Sequence, residues 1–218
     1  MPTINAVQLR KAIKREEFDY TLLSSVLAKY AGPRQKIHTF LKSGVIVRVK
    51  KGLYVFGPEY NFSPVCKEAL ANLIYGPSYI SLEYALAFHG MIPERVEVVT
   101  SVTFKKDKKF DTPLGRFTYR YLGLSKYAIG FELLSIDRLH PVLMATQEKA
   151  LCDYIVLNKI SGFKTTTEIQ KFLESDLRIK KEHWVRLKVH ELREINQIFS
   201  NQTISKIIEL LELRGVPK

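Results

Sequence analysis

Gln35, His38, Thr39 and Lys42 fall at i, i+3, i+4 and i+7. At about 100° per residue, that spacing lines them along one face of a helix, opposite Ile37, Phe40 and Leu41. Their chemistry is that of reading base edges. A glutamine carboxamide bonds adenine bidentately, a lysine ammonium reaches guanine O6 or N7, and a threonine methyl meets the thymine methyl. Arg34 stands at the start of this helix, where free backbone N–H groups also favour a phosphate, and Lys36 flanks the stripe. Arg48, Lys50 and Lys51 follow around a tight turn, a cationic tip suited to backbone or minor-groove contact. Each group also has a plainer reading, as a solvated helix face or a solvated turn. Charge weighs against the plain reading. The chain of 218 residues has a formal net charge of +12, and residues 1–57 carry 11 Lys/Arg against 3 Asp/Glu, a net +8. A quarter of the chain thus holds most of the excess, the electrostatic footprint of a polyanion-binding domain.

The elements that must carry these side chains are legible. Ile4, Val7, Leu9 and Ile13 predict a first helix over about 3–15. Asp19 caps a second, with Leu22, Leu23, Val26, Leu27 and Tyr30 at helical spacing. Gly32 ends that helix and Pro33 opens the third, which runs to Ser43 and stops at Gly44. The apolar runs Val45–Val49 and Leu53–Phe56, joined by Lys50-Lys51-Gly52, predict a hairpin. Three helices followed by a hairpin are the order of a winged helix-turn-helix.

Gly57-Pro58 and Asn61-Phe62-Ser63-Pro64 mark a boundary. Beyond it the pattern predicts a helix from Ser63 or Pro64 to Tyr75, and another over Leu82–His89 capped by Ser81. Strands follow over Val96–Phe104, Arg116–Leu122 and Phe131–Ile136, then a helix capped by Thr146, then about three helices from Thr166 to Arg214. The expected fold class is α+β: residues 1–57 a winged helix-turn-helix, 58–160 a mixed α/β domain, and 161–218 a C-terminal helical extension packed on it. No apolar run reaches the roughly 18 residues of a membrane span, and the charged start lacks a secretory h-region, so a cytoplasmic protein is expected. Cys66 and Cys152 sit in apolar helical patterns outside any CxxC pair, as buried reduced thiols do.

Catalytic chemistry finds little purchase. His89, His140, His183 and His190 lack metal-ligand spacing to cysteine or carboxylate, and there is no phosphate-binding glycine loop or GxSxG elbow. Pro93-Glu94 followed by Asp107-Lys108-Lys109 is similar to the acidic-plus-DxK pattern of Mg²⁺-dependent nucleases, but in a lysine-rich chain DxK arises by chance. The Lys105–Lys109 run reads either as a solvated hairpin loop or as an extension of the DNA contact. No catalytic residue, metal or cofactor is expected.

The rest of the chain carries more specific text. Tyr79-Ile80-Ser81, Ala85-Leu86 and His89-Gly90 precede Thr112-Pro113-Leu114-Gly115-Arg116-Phe117, and Ala145-Thr146-Gln147-Glu148-Lys149-Ala150-Leu151-Cys152-Asp153 comes later. With Lys51-Gly52-Leu53-Tyr54, this series resembles the AbiEi family of antitoxins, from type IV (abortive infection) toxin–antitoxin systems. The resemblance spans roughly residues 5–160. It implies a winged helix that represses the operon for antitoxin and toxin, and a C-terminal domain that opposes a nucleotidyltransferase-like toxin. The partners expected are therefore double-stranded operator DNA, read as paired half-sites by a homodimer or by several bound copies, and that toxin. Many relatives are transcriptional regulators without an assigned toxin. Taken as physics, the same tracts are caps, turns and helix ends.

Overall fold

Asn5 opens the first helix, α1 (Ala6–Ala12), through a reciprocal cap: its side chain accepts from Gln8 N at 2.9 Å and its own N–H donates to the Gln8 side chain at 3.0 Å. The computed structural model, which describes residues 3–214, continues with β1 (Glu17–Asp19), α2 (Tyr20–Leu27), α3 (Pro33–Lys42), β2 (Ile46–Lys50) and β3 (Leu53–Phe56). The three strands form an antiparallel sheet in the order β1-β3-β2. Leu9, Ile13, Phe18, Leu23, Leu27, Ile37, Phe40, Ile46 and Phe56 build one buried core between helices and sheet.

Two features here depart from the expected pattern. The first helix ends at Ala12 and not near residue 15, because the buried Arg10 guanidinium turns back to the Ile13 carbonyl (2.6 Å) and to Glu16 (2.6 Å). The segment Glu17-Phe18-Asp19 then becomes a strand. A single phenylalanine between two acids does not read as a strand locally; pairing with β3 makes it one.

The carboxylates of Glu16 and Glu17 also move the domain boundary. Glu16 accepts from Phe62 N (3.1 Å) and Ser63 N (3.3 Å), and Glu17 accepts from Cys66 N (3.1 Å). The chain beyond Gly57 is thereby bound into the first body, as is α4 (Lys67–Ile74). The division falls at Ile74: the first body runs to that residue and includes Asp111–Gly115, and the second takes Tyr75–Phe110 and everything from Arg116 on.

The second body holds β4 (Tyr79–Ile80), α5 (Leu82–Phe88), β5 (Val99–Thr103), all but the adjoining ends of β6 (Lys108–Thr112) and β7 (Gly115–Tyr121), α6 (Leu124–Tyr127), β8 (Phe131–Ser135), β9 (Pro141–Ala145) and α7 (Gln147–Leu157). It continues with α8 (Thr166–Lys171), which runs into a π-helical turn over Phe172–Asp176, then α9 (Lys181–Trp184), α10 (Val189–Phe199) and α11 (Gln202–Leu213). The sheet is mixed, in the order β6-β7-β5-β4-β9-β8, with β5/β7 and β4/β9 parallel. Strands β4, β6 and β9 were not expected from the sequence. Among the last helices, α10 and α11 pack on α7. The molecule is a mixed α+β protein with eleven α-helices and two sheets among the described residues.

At the centre of this body lies a buried ion pair. Lys149 Nζ donates to Asp153 at 2.7 Å and to the Lys126 carbonyl at 2.6 Å, both side chains fully buried. Asp153 also accepts from Tyr79 OH (2.9 Å) and Ser81 Oγ (2.8 Å). Burial alone would neutralise these groups; their mutual attraction and the two hydroxyls oppose it. Ser81 therefore does not cap α5. Leu82 takes a left-handed φ of +55° and the Ser81 hydroxyl turns inward. Thr146 does cap α7, accepting from Lys149 N at 3.2 Å.

Candidate nucleic-acid interface

Asp19 starts α2 by accepting from Leu22 N at 2.7 Å, and Gly32, at φ +62°, turns the chain into α3 with Pro33 in the first helical position. Ile37 and Phe40 bury the inner face of α3. The opposite face is open. Arg34, Gln35, His38, Thr39 and Lys42 are all exposed, and Lys36 is half-buried at its margin. The Thr39 hydroxyl donates to the Gln35 carbonyl at 3.0 Å, within its own helix. The Gln35 carboxamide folds back over Gly32: a Cβ built there would lie 2.7 Å from its oxygen. No side chain caps α3, so its first N–H groups are left to solvent or to an anion.

The hairpin presents fewer cations than expected. Arg48 and Lys51 are exposed, and Gly52, at φ +86°, closes the turn. A register shift between Arg48 and Lys50 re-aims the strand end. The Lys50 ammonium then donates to the carbonyl of Ile74 at the end of α4, a helix terminus where a cation is favoured. Half-burial there lowers its pKa below the ordinary lysine value. Lys50 is thus committed within the body, while Arg48 and Lys51 remain available.

Of the three acids in residues 3–57, Glu16 and Glu17 are buried on N–H donors and only Asp19 is exposed. Eight exposed cations (Lys11, Lys14, Arg15, Lys29, Arg34, Lys42, Arg48 and Lys51) face that single acid. Tyr20, exposed at the start of α2 with its N–H on the Gly52 carbonyl at 2.9 Å, joins the hairpin edge. Sequence reasoning missed it because an aromatic in the first turn of a helix reads as core.

The nuclease-like residues do not converge. Glu94 pairs with Arg178 at 2.8 Å, and Asp107 accepts from Tyr121 N at 2.6 Å. Lys105 donates to the Gly76 carbonyl at 2.7 Å, so the run from 105 to 109 is partly anchored. His89 Nε2 lies 2.8 Å from the Ala145 carbonyl and His140 lies against Asp137 at 2.7 Å. Among the described residues no three His, Cys, Asp or Glu side chains are grouped to hold a metal ion, and no helix is long and apolar enough to cross a membrane. No protein-family model matches the chain, and no curated protein matches it in sequence.

Proposed function

We propose that the chain is a DNA-binding transcriptional repressor. Its first body is a winged helix-turn-helix in which α3 enters the major groove of double-stranded DNA and the β2–β3 hairpin is the wing. One observation carries the reading: Gln35, His38, Thr39 and Lys42 form an exposed stripe on α3, back to back with buried Ile37 and Phe40. Arg34 and the uncapped start of α3 favour a phosphate, and Gln35 and Lys42 supply base-edge chemistry. Repression is occupancy of a promoter, with no bond made or broken. Half-sites in inverted repeat, filled by a dimer or by cooperating copies, suit this mode of docking.

The tracts around Tyr79–Ser81 and Ala145–Asp153 extend the proposal through their resemblance to AbiEi antitoxins. On that resemblance the protein represses its own operon in the cytoplasm and opposes a nucleotidyltransferase-like toxin. The two tracts meet at the Lys149–Asp153 pair. A fully buried, fully bonded pair of that kind supports a fold-holding role for them.

Affinity for duplex DNA measured against salt tests the DNA reading. Binding through several phosphates loses about 10³-fold or more between roughly 50 and 200 mM salt. Gln35→Ala and Lys42→Ala relax sequence preference, whereas Lys51→Ala weakens all duplexes alike. A flat salt response, or stripe and wing variants that behave identically, overturns the assignment.

A further inference from the structure

Tyr20, Arg48, Lys51, Gly52 and Tyr54 line an open groove of about 700 Å³ beside the hairpin turn. Its floor is aromatic. Tyr54 is buried, stacked on Phe18 with ring centroids 6.2 Å apart, and the Arg48 guanidinium carbon lies 6.0 Å from the Tyr54 ring centroid. Tyr20 forms a wall and is 43% exposed. Gly52 leaves the groove open: a Cβ built there meets nothing within 4 Å. The hydrogen bond from Tyr20 N to the Gly52 carbonyl fixes the helix start against the hairpin tip, so the groove is preformed.

A cationic tip alone would serve a bare phosphate or a minor-groove edge. Two tyrosine rings between two cations ask for more, an anion joined to apolar surface. One unit of a DNA strand has that make-up, a phosphate linked to a largely apolar deoxyribose. We propose that this groove seats one sugar–phosphate unit of a DNA strand. The sugar lies against the Tyr20 ring, over the floor that Tyr54 supports, and the phosphate is held by Arg48 and Lys51, so that the wing grips the backbone and does not enter the minor groove. The proposal rests on the DNA-binding reading and deepens it. It adds Tyr20 to the interface and makes the wing's contribution independent of base sequence.

The test uses the full chain and a duplex that it selects from a random-sequence pool. Tyr20→Ala weakens binding about 10-fold, as expected for losing one well-made contact, whatever the base sequence, and Tyr20→Phe retains affinity. A scan of single, uncharged methylphosphonates finds a position that weakens the wild-type complex but costs Arg48→Ala nothing further. Filling the minor groove with distamycin leaves the Tyr20→Ala loss unchanged. The methylphosphonate scan of the wild-type protein needs no variant to fold. The groove assignment is overturned by full affinity in Tyr20→Ala, by a scan with no position coupled to Arg48, or by distamycin abolishing the loss, each with salt-dependent duplex binding intact. Failure of the wild-type chain to bind any duplex in a salt-dependent way overturns the DNA reading itself.

Discussion

The ammonium of Lys50 is drawn to the Ile74 carbonyl, while that of its chain neighbour Lys51 stands exposed at the hairpin turn. The two are equivalent by composition and differ in consequence. Lys50→Ala removes a charge-assisted hydrogen bond at a helix C-terminus and lowers the stability of the first body by about 1 kcal/mol, leaving DNA affinity nearly unchanged. Lys51→Ala does the reverse. Thermal melts and duplex titrations on both variants check this, and a Lys50→Ala protein that binds DNA as weakly as Lys51→Ala would return Lys50 to the interface. Elsewhere the residue scale favours structure over chemistry. Ser81, Glu148, Lys149 and Asp153 are all four buried. Glu148 accepts from Lys188 N at 2.8 Å and its carboxyl pKa is raised by burial. Cys66 is equally quiet: burial pushes its thiol up to about 11.

At the scale of elements, the hairpin is held at its base as well as at its tip. Gly57 N donates to the Val45 carbonyl at 2.9 Å, and a Cβ on Gly57 would lie 1.9 Å from the carbonyl oxygen of Gly44. Backbone, not a flexible side chain, stands in the way. Gly57→Ala should therefore destabilise the first body by roughly 3 kcal/mol, at the upper end of overpacking costs, and loosen the hairpin that carries Arg48 and Lys51. A urea midpoint unchanged from wild type would show that the close approach is not maintained in solution. In α3, by contrast, the glycine matters through its φ: Gly32 at +62° sets the entry of the helix and gives room to the Gln35 carboxamide.

Over the whole molecule, two bodies with separate cores divide the work proposed for the chain. The exposed stripe is in the first and the buried Lys149–Asp153 network in the second. If the antitoxin part of the proposal holds, Gln35→Ala/Lys42→Ala abolishes operon repression and spares toxin neutralisation. Reporter assays and growth rescue in cells co-expressing the neighbouring toxin gene separate the two. Loss of both activities in a stably folded variant would tie neutralisation to DNA binding; rescue by neither protein would remove the toxin from the account.

Helices α2 and α3, the Asp19 cap of α2, the Gly32-Pro33 entry into α3, the hairpin and the polar stripe were legible in the sequence. Each depends on periodicity or turn chemistry within about ten residues, and local preference and burial point the same way there. Strands β1, β4 and β9, the boundary at Ile74 and the inward turn of Ser81 were not. They depend on partners far along the chain: β3 for β1, Phe62 and Cys66 for the paired carboxylates, Asp153 for Ser81. The same division runs through the candidate site. The sequence by itself determined which residue types lie on the outer face of α3 and that the first quarter of the chain is strongly basic. The tertiary structure alone decided that Glu16 and Glu17 are buried, that Lys50 is spent on Ile74, and that Tyr20 stands beside Arg48. Side-chain spacing is a property of one helix, whereas burial and charge partners are set where separate elements meet.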